Sequence, residues 1–225
     1  MTSRIRSSLL MVLCAGAGVL LALLSLSADE PTKGSLPPAS TKGKMSLEEA
    51  LARRRSVRRY EAGRLTREQI AQLCWAAQGV TEPRRGLRTC PSAGATYPLE
   101  LFVVTADGVE QYVPAGHAMK QHLQGDVRGE LQRAALNQRS VGEAPAVFVI
   151  GAVMSRTERR YSRRAERYVS IEVGHAGQNL LLQAVALGLA GVPVGAFNDE
   201  EVAKALKLPA ECVPLYLLPI GVPAR

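Results

Sequence analysis

Cysteine and histidine are scarce in this sequence, which has four cysteines and three histidines in 225 residues. The cysteines are too few and too irregularly spaced for a disulfide scaffold or for a zinc site built on cysteine pairs. No two histidines stand four residues apart, the spacing at which one helix face presents two ligands to a metal ion. The sequence therefore gives no support to a metal centre.

Several common catalytic and nucleotide-binding motifs are also missing. There is no lysine-containing phosphate loop and no G-x-S-x-G turn, so a P-loop nucleotidase and an α/β-hydrolase lack their usual support. The glycines closest to a dinucleotide fingerprint, Gly16 and Gly18, lie in an apolar N-terminal segment. Aromatic residues make up only 4% of the chain. That composition leaves few platforms for stacking bases, and we predict no nucleic-acid partner.

Positive charge is plentiful and unevenly placed. The net charge is +8, and most of the 28 lysines and arginines are arginine, with clusters at 53–59 and 156–167. Paired guanidinium groups bind phosphate or carboxylate bidentately, whereas the same charges on an exposed face are simply solvated. Composition and spacing leave a ligand site, a solvated face and a surface for polyanions or anionic lipid as open alternatives.

Residues 1–28 have the pattern of a targeting segment. Arg4 and Arg6 precede an uncharged run at 9–24, and small residues follow as far as Ala28. The run is long for a signal peptide and short for a bilayer span, so a cleaved signal peptide and a retained membrane anchor both stay open. In either case we predict that the rest of the chain is exported, to the periplasm or to the outward face of the inner membrane.

The remaining chain divides into a linker and one domain. Residues 29–44 are rich in proline, serine, threonine, glycine and lysine, and they predict a flexible linker. Residues 45–225 have the size of a single domain and a mixture of helical and strand patterns, so the predicted class is α+β. Predicted helices begin at Ser46 and cover 66–79, 126–138, 169–189 and 199–206; predicted strands are 99–105, 109–113, 146–153 and 213–221.

Two details of these helices lead to specific expectations. Gly79 follows the second helix and is predicted to end it in the left-handed conformation. The 169–189 helix separates apolar from polar residues. Its predicted core side is Ile171, Gly174, Gln178, Leu181, Leu182, Val185 and Leu189. Its polar residues, Glu172, His175, Asn179 and Gln183, are predicted to form a solvated or hydrogen-bonded edge in preference to a ligand-contacting surface.

Five blocks of the sequence, in order, carry a family resemblance. They are RRSVRRY (54–60), PSAGATYPLELFVV (91–104), RRYSRRAERY (159–168), EVGHAGQNLLLQAVALGLAGVPVGAF (172–197) and LLPIGVP (217–223). Together they resemble the FMN-dependent nitroreductase family, in particular its SagB-type dehydrogenase branch, which includes azoline oxidases. The resemblance covers 47–222 and implies a central mixed or antiparallel sheet flanked by helices. It also implies an oxidoreductase that passes a hydride or electron pair through flavin N5 to or from a small organic substrate, as a homodimer with flavin sites at the interface.

The same resemblance assigns flavin contacts by position. It places Arg54 and Ser56 toward the ribityl phosphate, Arg55 along the flavin, and Arg58 at the N1 and O2 edge of the ring. A cation at that edge stabilises the negative charge of reduced flavin. The other implied contacts are Pro91, Ser92, Ala93 and Gly94 on one side of the ring, Val194, Gly195 and Ala196 near N5 on the other, and Arg225 near the phosphate.

The implied catalytic pair is Tyr161 and Arg160. Tyr161 falls at the tyrosine of a lysine–tyrosine pair that assists proton removal in azoline oxidases, and Arg160 stands where the lysine would be. Arginine keeps its proton, so Arg160 orients a substrate better than it acts as a base, which argues against azoline oxidation. The alternative function is a non-catalytic anion-binding or scaffold protein on the same fold that has lost flavin.

Overall fold

The computed structural model describes residues 34–224. The predicted targeting segment and Arg225 lie outside the described residues. The strands are β1 (Val80–Glu82), β2 (Leu87–Arg88), β3 (Leu99–Thr105), β4 (Gly108–Val113), β5 (Ala118–Gln124), β6 (Ala146–Val153), β7 (Ala190–Gly191) and β8 (Cys212–Gly221). The α-helices are α1 (Leu47–Arg53), α2 (Arg67–Gln78), α3 (Arg128–Ala134), α4 (Arg139–Gly142), α5 (Ser155–Tyr161), α6 (Ala165–Ala186) and α7 (Asp199–Leu206). Within residues 34–224, no helix has a run long and apolar enough to cross a bilayer.

A six-stranded sheet in the order β5-β4-β3-β6-β8-β7 forms the centre of the domain. Every pair of neighbours in it is antiparallel. Successive side chains of a strand point to opposite faces, and β6 shows this directly. Phe148 and Ile150 enter a core shared with α2 and α6, whereas Val147 and Val149 enter a second core shared with α3, α4 and α7. The predicted α+β class is confirmed, and the sheet is antiparallel.

Helix α2 begins as its capping signal predicts but ends differently. The Thr66 hydroxyl accepts the N–H of Gln69 at 3.2 Å, and the Gln69 side chain accepts the N–H of Thr66 at 2.9 Å. Gly79 follows the helix with φ −63° and ψ 145°, which is extended backbone and corrects the predicted left-handed end. Glycine is required there for space, because a Cβ would overlap the Trp75 ring and lie 2.6 Å from the Trp75 carbonyl oxygen.

Replacing Gly79 with alanine is expected to lower the free energy of unfolding by about 2 kcal/mol, because the added methyl group forces the packed Trp75 backbone to shift. Urea unfolding of the purified variant measures this. Gly129→Ala is the matched control in α3, where an added Cβ meets only the Arg133 side chain at 3.9 Å. That variant is expected to be unchanged or about 0.5 kcal/mol more stable. Equal stability of the two variants would contradict the packing argument.

The segment from residue 34 contacts the domain, which differs from the flexible linker predicted for 29–44. Ser35 pairs with Ala118 at the start of β5, an edge strand absent from the sequence-based prediction. The N–H of Leu36 donates to the His117 carbonyl at 3.1 Å, and the Leu36 side chain is buried in the core. A few backbone bonds and one buried leucine therefore attach this proline-rich stretch to the sheet.

Helix α6 buries a different face from the predicted one. It begins at Ala165, four residues earlier than predicted. Its buried residues are Ala165, Val169, Glu172, Val173, Ala176, Gly177, Leu180, Leu181 and Ala184. Ile171, predicted to lie in the core, is 49% exposed, whereas Glu172, predicted to be solvated, is 2% exposed. Apolar residues surround the helix toward its C-terminal end, so its packing against α2 and β8 selects the buried face.

Candidate functional site

The arginine-rich segment after α1 is held against the sheet by its backbone. Ser56 pairs in parallel with Gly191 of β7, and the N–H of Val57 donates to the Gly191 carbonyl at 3.0 Å. The Tyr60 hydroxyl donates to the carbonyl oxygens of Val57 and Pro219, at 2.9 and 3.0 Å. Backbone pairing leaves the side chains of this segment free to face a ligand.

The charges of the segment are available for an anion. Arg54 is half-buried, and Arg55, Ser56 and Arg58 are exposed. Arg55 donates to the carbonyl oxygens of Ala52 and Arg54, at 3.0 and 2.8 Å. Across the described part of the chain, neither Arg54 nor Arg58 forms an ion pair with a carboxylate. Two unpaired guanidinium groups close to a free serine hydroxyl are suited to a phosphate.

The second block forms a strained loop. Gly94 has φ +58°, and the non-glycine residues Ala95 and Tyr97 have φ +53° and +44°. The Ser92 hydroxyl accepts the N–H of Tyr97 at 2.9 Å and closes the loop. Left-handed backbone costs about 1 to 3 kcal/mol at each non-glycine residue, and such strain clusters at functional sites.

The predicted catalytic pair lies against this loop. Arg160 donates from Nη1 to the Gly94 carbonyl at 3.1 Å. A Cβ on Gly94 would lie 2.6 Å from the Tyr161 hydroxyl and 2.7 Å from Nη1 of Arg160. The Tyr161 ring packs edge-on against Tyr168, with their centroids 5.0 Å apart. The structure thus brings Arg160 and Tyr161 together with the predicted ring-binding loop, and glycine at 94 is what allows the approach.

The third block lies beside the first. Val194 is buried and pairs with Leu217 of β8, whereas Gly195 and Ala196 are exposed. The Gln138 side chain donates to the Ala196 carbonyl at 2.9 Å. Gly191 pairs with Ser56 and Val194 follows three residues later, so a short length of chain separates these exposed positions from the arginine segment.

The first and second blocks contact α6 at different places. The Cys90 thiol, next to Pro91, donates to the Glu172 carbonyl at 3.5 Å, so the strained loop lies along the N-terminal half of α6. The arginine segment pairs with Gly191, beyond the C-terminal end of α6 at Ala186. At 1.5 Å per residue, Glu172 and Ala186 are about 20 Å apart along the helix axis. One protomer therefore does not bring the predicted phosphate and ring contacts into one compact site.

Glu172 is a site residue that sequence reasoning missed. Across the described residues, its Oε1 atom is buried without a hydrogen-bond partner. Burial raises the pKa of this carboxyl to about 7, against smaller opposing effects of the Ser92 side chain and the Arg88 charge. A carboxyl beside Ser92 that titrates near neutrality is able to hold or release a proton next to the strained loop. Its only sequence signal is an acid between Val169 and Val173, both of which pack in the core.

A basic surface continues from the strained loop. It consists of Arg159, Arg160, Arg163, Arg164 and Arg167, all exposed. Within residues 34–224, none of the five forms an ion pair with a carboxylate. Charges left unpaired at the edge of a site attract anionic ligands toward it.

Comparison with known proteins identifies the fold and its relatives. Residues 51–222 match the model of the nitroreductase family. A protein of Methanocaldococcus jannaschii named as a nitroreductase is 45% identical over 183 residues, which cover 79% of this chain and 91% of that protein.

Solved structures agree with this match. One from Ralstonia eutropha, also named as a nitroreductase, superposes with a TM-score of 0.77 at 27% identity, covering 85% of this chain and 90% of that chain. The Escherichia coli microcin synthetase McbBCD complex matches in fold, with a TM-score of 0.66 at 21% identity over 94% of this chain and 85% of that chain. The Vibrio harveyi NADPH:FMN oxidoreductase also matches in fold, with a TM-score of 0.60 at 21% identity over 80% of this chain and 69% of that chain. On the family match and the relative at 45% identity, the chain belongs to the nitroreductase family.

Proposed function

We propose that this protein is an FMN-dependent oxidoreductase that transfers a hydride or electron pair to or from a small organic substrate. The observation that carries the proposal is the meeting of Arg160 and Tyr161 with the strained glycine loop at Gly94. Family membership supports the general oxidoreductase class, and the solved Vibrio harveyi relative is an NADPH:FMN oxidoreductase by name.

The residues of the chain fit FMN in charge and in shape. Arg54 and Arg58 offer unpaired guanidinium groups, and Ser56 offers a free hydroxyl, for the phosphate and for the electron-rich edge of the ring. An added Cβ would meet nothing within 4 Å at Gly195, so the backbone there is open to a flat ligand. When bound, FMN supplies the reversible acceptance of a hydride or an electron pair.

We infer that the protein belongs to the SagB-type branch of the family. The fold match to the microcin synthetase complex and Tyr161, at the position of the tyrosine in the lysine–tyrosine pair, support this assignment. Tyr161 places a hydroxyl at the loop, where it holds or delivers a proton at the substrate. The Arg160 guanidinium orients an anionic or carbonyl-bearing group. The basic surface of five arginines favours a substrate of negative charge.

We further propose a homodimer in which each flavin site takes residues from both protomers. The separation of the two blocks along α6 supports this arrangement, because a second copy can place its Pro91–Gly94 loop against the Arg54–Arg58 segment of the first. The exposure of Ile171 on α6 and of Leu47 and Leu51 on α1 is consistent with an apolar contact between copies. We also propose that the domain is exported, on the targeting pattern of residues 1–28.

The shared site is tested by mixing two variants that are each expected to bind FMN weakly. Arg54→Ala/Ser56→Ala removes the phosphate contacts, and Gly94→Val blocks the loop at Tyr161. A heterodimer of the two contains one doubly damaged site and one intact site, and random pairing makes about half of the dimers heterodimers. Co-refolding is therefore expected to restore about a quarter of the FMN content of the wild type. Each variant refolded alone is the control. Recovery of no flavin in the mixture contradicts a site shared between protomers.

The first measurement is the flavin content of the purified protein. The purified protein is expected to be yellow, to show flavin absorbance bands and to release FMN on denaturation. The alternative is a non-catalytic anion-binding or scaffold protein that has lost flavin. A colourless preparation that also fails to bind added FMN would remove the enzyme proposal and favour that alternative.

A further inference from the structure

A cavity of about 300 Å³ lies behind the strained loop, between the end of α2, strands β3 and β4 and the start of α5. Gln78 and Tyr112 are its most buried lining residues. Arg88, Arg156 and Lys120 contribute positive charge to its walls and rim. None of the predicted flavin contacts lines it, so it is separate from the proposed flavin site.

A buried hydrogen-bond donor in this cavity has no acceptor. Gln78 is 1% exposed, and its Oε1 accepts a hydrogen bond from Nη1 of Arg88 at 2.7 Å. Because arginine only donates, Oε1 must face Arg88, and the amide cannot be turned over to exchange its oxygen and nitrogen. Within residues 34–224, the buried Nε2 atom that remains has no acceptor. A buried donor left unpaired destabilises the folded protein, and an acceptor supplied by a ligand removes that cost.

The cavity also has a surplus of positive charge. Its one acidic lining residue, Glu100, accepts hydrogen bonds from Arg156 and, at 2.8 Å, from Gln111. Both of its oxygens are therefore engaged. Arg88 bonds Gln78 through Nη1 alone, and Lys120 is exposed at the rim. Glu172 lies close enough to interact electrostatically with Arg88 but does not line the cavity. Among the charged side chains that line the cavity, the hydrogen-bond donors without a partner therefore outnumber the acceptors without one.

We propose that this cavity binds a small organic carboxylate. The carboxylate accepts from Nε2 of Gln78 and from the guanidinium of Arg88, which together form a charge-assisted cradle. Leu99, Leu101 and Val113 supply an apolar wall for a short aliphatic or aromatic body. A cavity with an apolar wall and a few convergent donors is the usual form of a small-molecule site.

The site is linked to the strained loop through Tyr97. The Arg88 guanidinium stacks over the Tyr97 ring at 4.4 Å from the centroid, and Arg156 donates to the Tyr97 carbonyl at 3.1 Å. A carboxylate that bonds Arg88 therefore acts on the same arginine that supports the end of the loop. An organic acid bound in the cavity can therefore alter the loop that carries Gly94, through Arg88 and Tyr97.

Calorimetric titration of the FMN-saturated protein with benzoate and with 3-methylbutanoate tests this assignment. Both acids are expected to bind, and Gln78→Leu and Arg88→Met are each expected to weaken binding at least about ten-fold, because each removes one arm of the cradle. Gln78→Leu keeps the arginine that stacks on Tyr97 but removes the amide oxygen that accepts from its Nη1, whereas Arg88→Met removes the stacking itself. Arg133→Met removes an exposed arginine in α3 and is expected to keep the wild-type affinity.

Two results overturn the proposal. One is the absence of binding by both acids, which would leave Nε2 of Gln78 to a trapped water. The other is binding that neither Gln78→Leu nor Arg88→Met weakens, which would place the acids elsewhere, for example against the flavin. Benzyl alcohol, which has the same ring without the carboxylate, is expected not to bind. FMN content is measured on every variant, so that a failure of the carboxylate proposal is distinguished from a failure of the flavin proposal.

Discussion

Replacing Arg54 and Ser56 together with alanine is expected to weaken FMN binding about 100-fold while the protein stays folded. A charge-assisted hydrogen bond contributes about 1.5 to 3 kcal/mol, and each 1.4 kcal/mol changes an affinity ten-fold. The loss of one bond from each side chain therefore accounts for the expected change. Fluorescence titration of the apoprotein with FMN measures it directly.

The fold is expected to survive this change because the segment is held by its backbone. Ser56 pairs with Gly191, and Val57 donates to the same residue, through main-chain atoms that alanine keeps. Circular dichroism and urea unfolding of the apoproteins check this point.

Arg59→Ala is the matched control. It removes one exposed charge from the same segment at a position with no predicted flavin contact, so it is expected to keep FMN affinity within about three-fold of the wild type, the range of a screened surface charge. Flavin binding that is unchanged in the double variant shows that the phosphate lies elsewhere. Equal losses in the double variant and in Arg59→Ala point to a general charge effect without specific contacts.

The central elements of the fold could be predicted because their sequence signals are local. Strand β6 is a run of apolar residues of strand length, and the structure buries it on both faces. Strand β5 was not predicted because it is an edge strand in which Met119 is the one fully buried side chain, while Lys120 and Gln121 are exposed. Its position depends on hairpin pairing with the preceding strand β4, which the hydropathy of the segment alone does not encode.

Some residues of the candidate site can be predicted from sequence motifs, whereas others are recognised only from their surroundings in the fold. Arg54–Tyr60 and Pro91–Tyr97 are predicted from the sequence because each is a compact block that resembles the family. The approach of Tyr161 to Gly94 depends on a turn with φ +47° at Ser162, which joins α5 to α6 and has no glycine to mark it. Gln78 and Glu172 are hydrophilic residues on helices, and only the packing around them shows that they are buried.

Glu172→Gln is expected to remove a pH dependence from the stability of the protein. Burial raises the pKa of Glu172 from its ordinary 4.5 to about 7. Between these two values the folded protein holds a proton that the unfolded chain has released, so the free energy of unfolding falls as the pH rises. For this shift the fall between pH 5.5 and 8.5 is about 2 kcal/mol, at 1.36 kcal/mol per pKa unit. Above about pH 8 both states are ionised and the loss is complete.

Glutamine keeps the shape of the side chain without a proton to lose, so the variant gains stability over the wild type by about 2 kcal/mol more at pH 8.5 than at pH 5.5. Urea unfolding of both proteins at the two pH values measures this difference. Glu166→Gln, an exposed position on α6, is the control and is expected to follow the wild type. The neighbouring Cys90 thiol does not contribute, because burial raises its pKa to about 12. Parallel pH profiles for Glu172→Gln and the wild type would mean that this carboxyl is already ionised in the folded protein, beside Arg88, and unable to hold a proton at the strained loop.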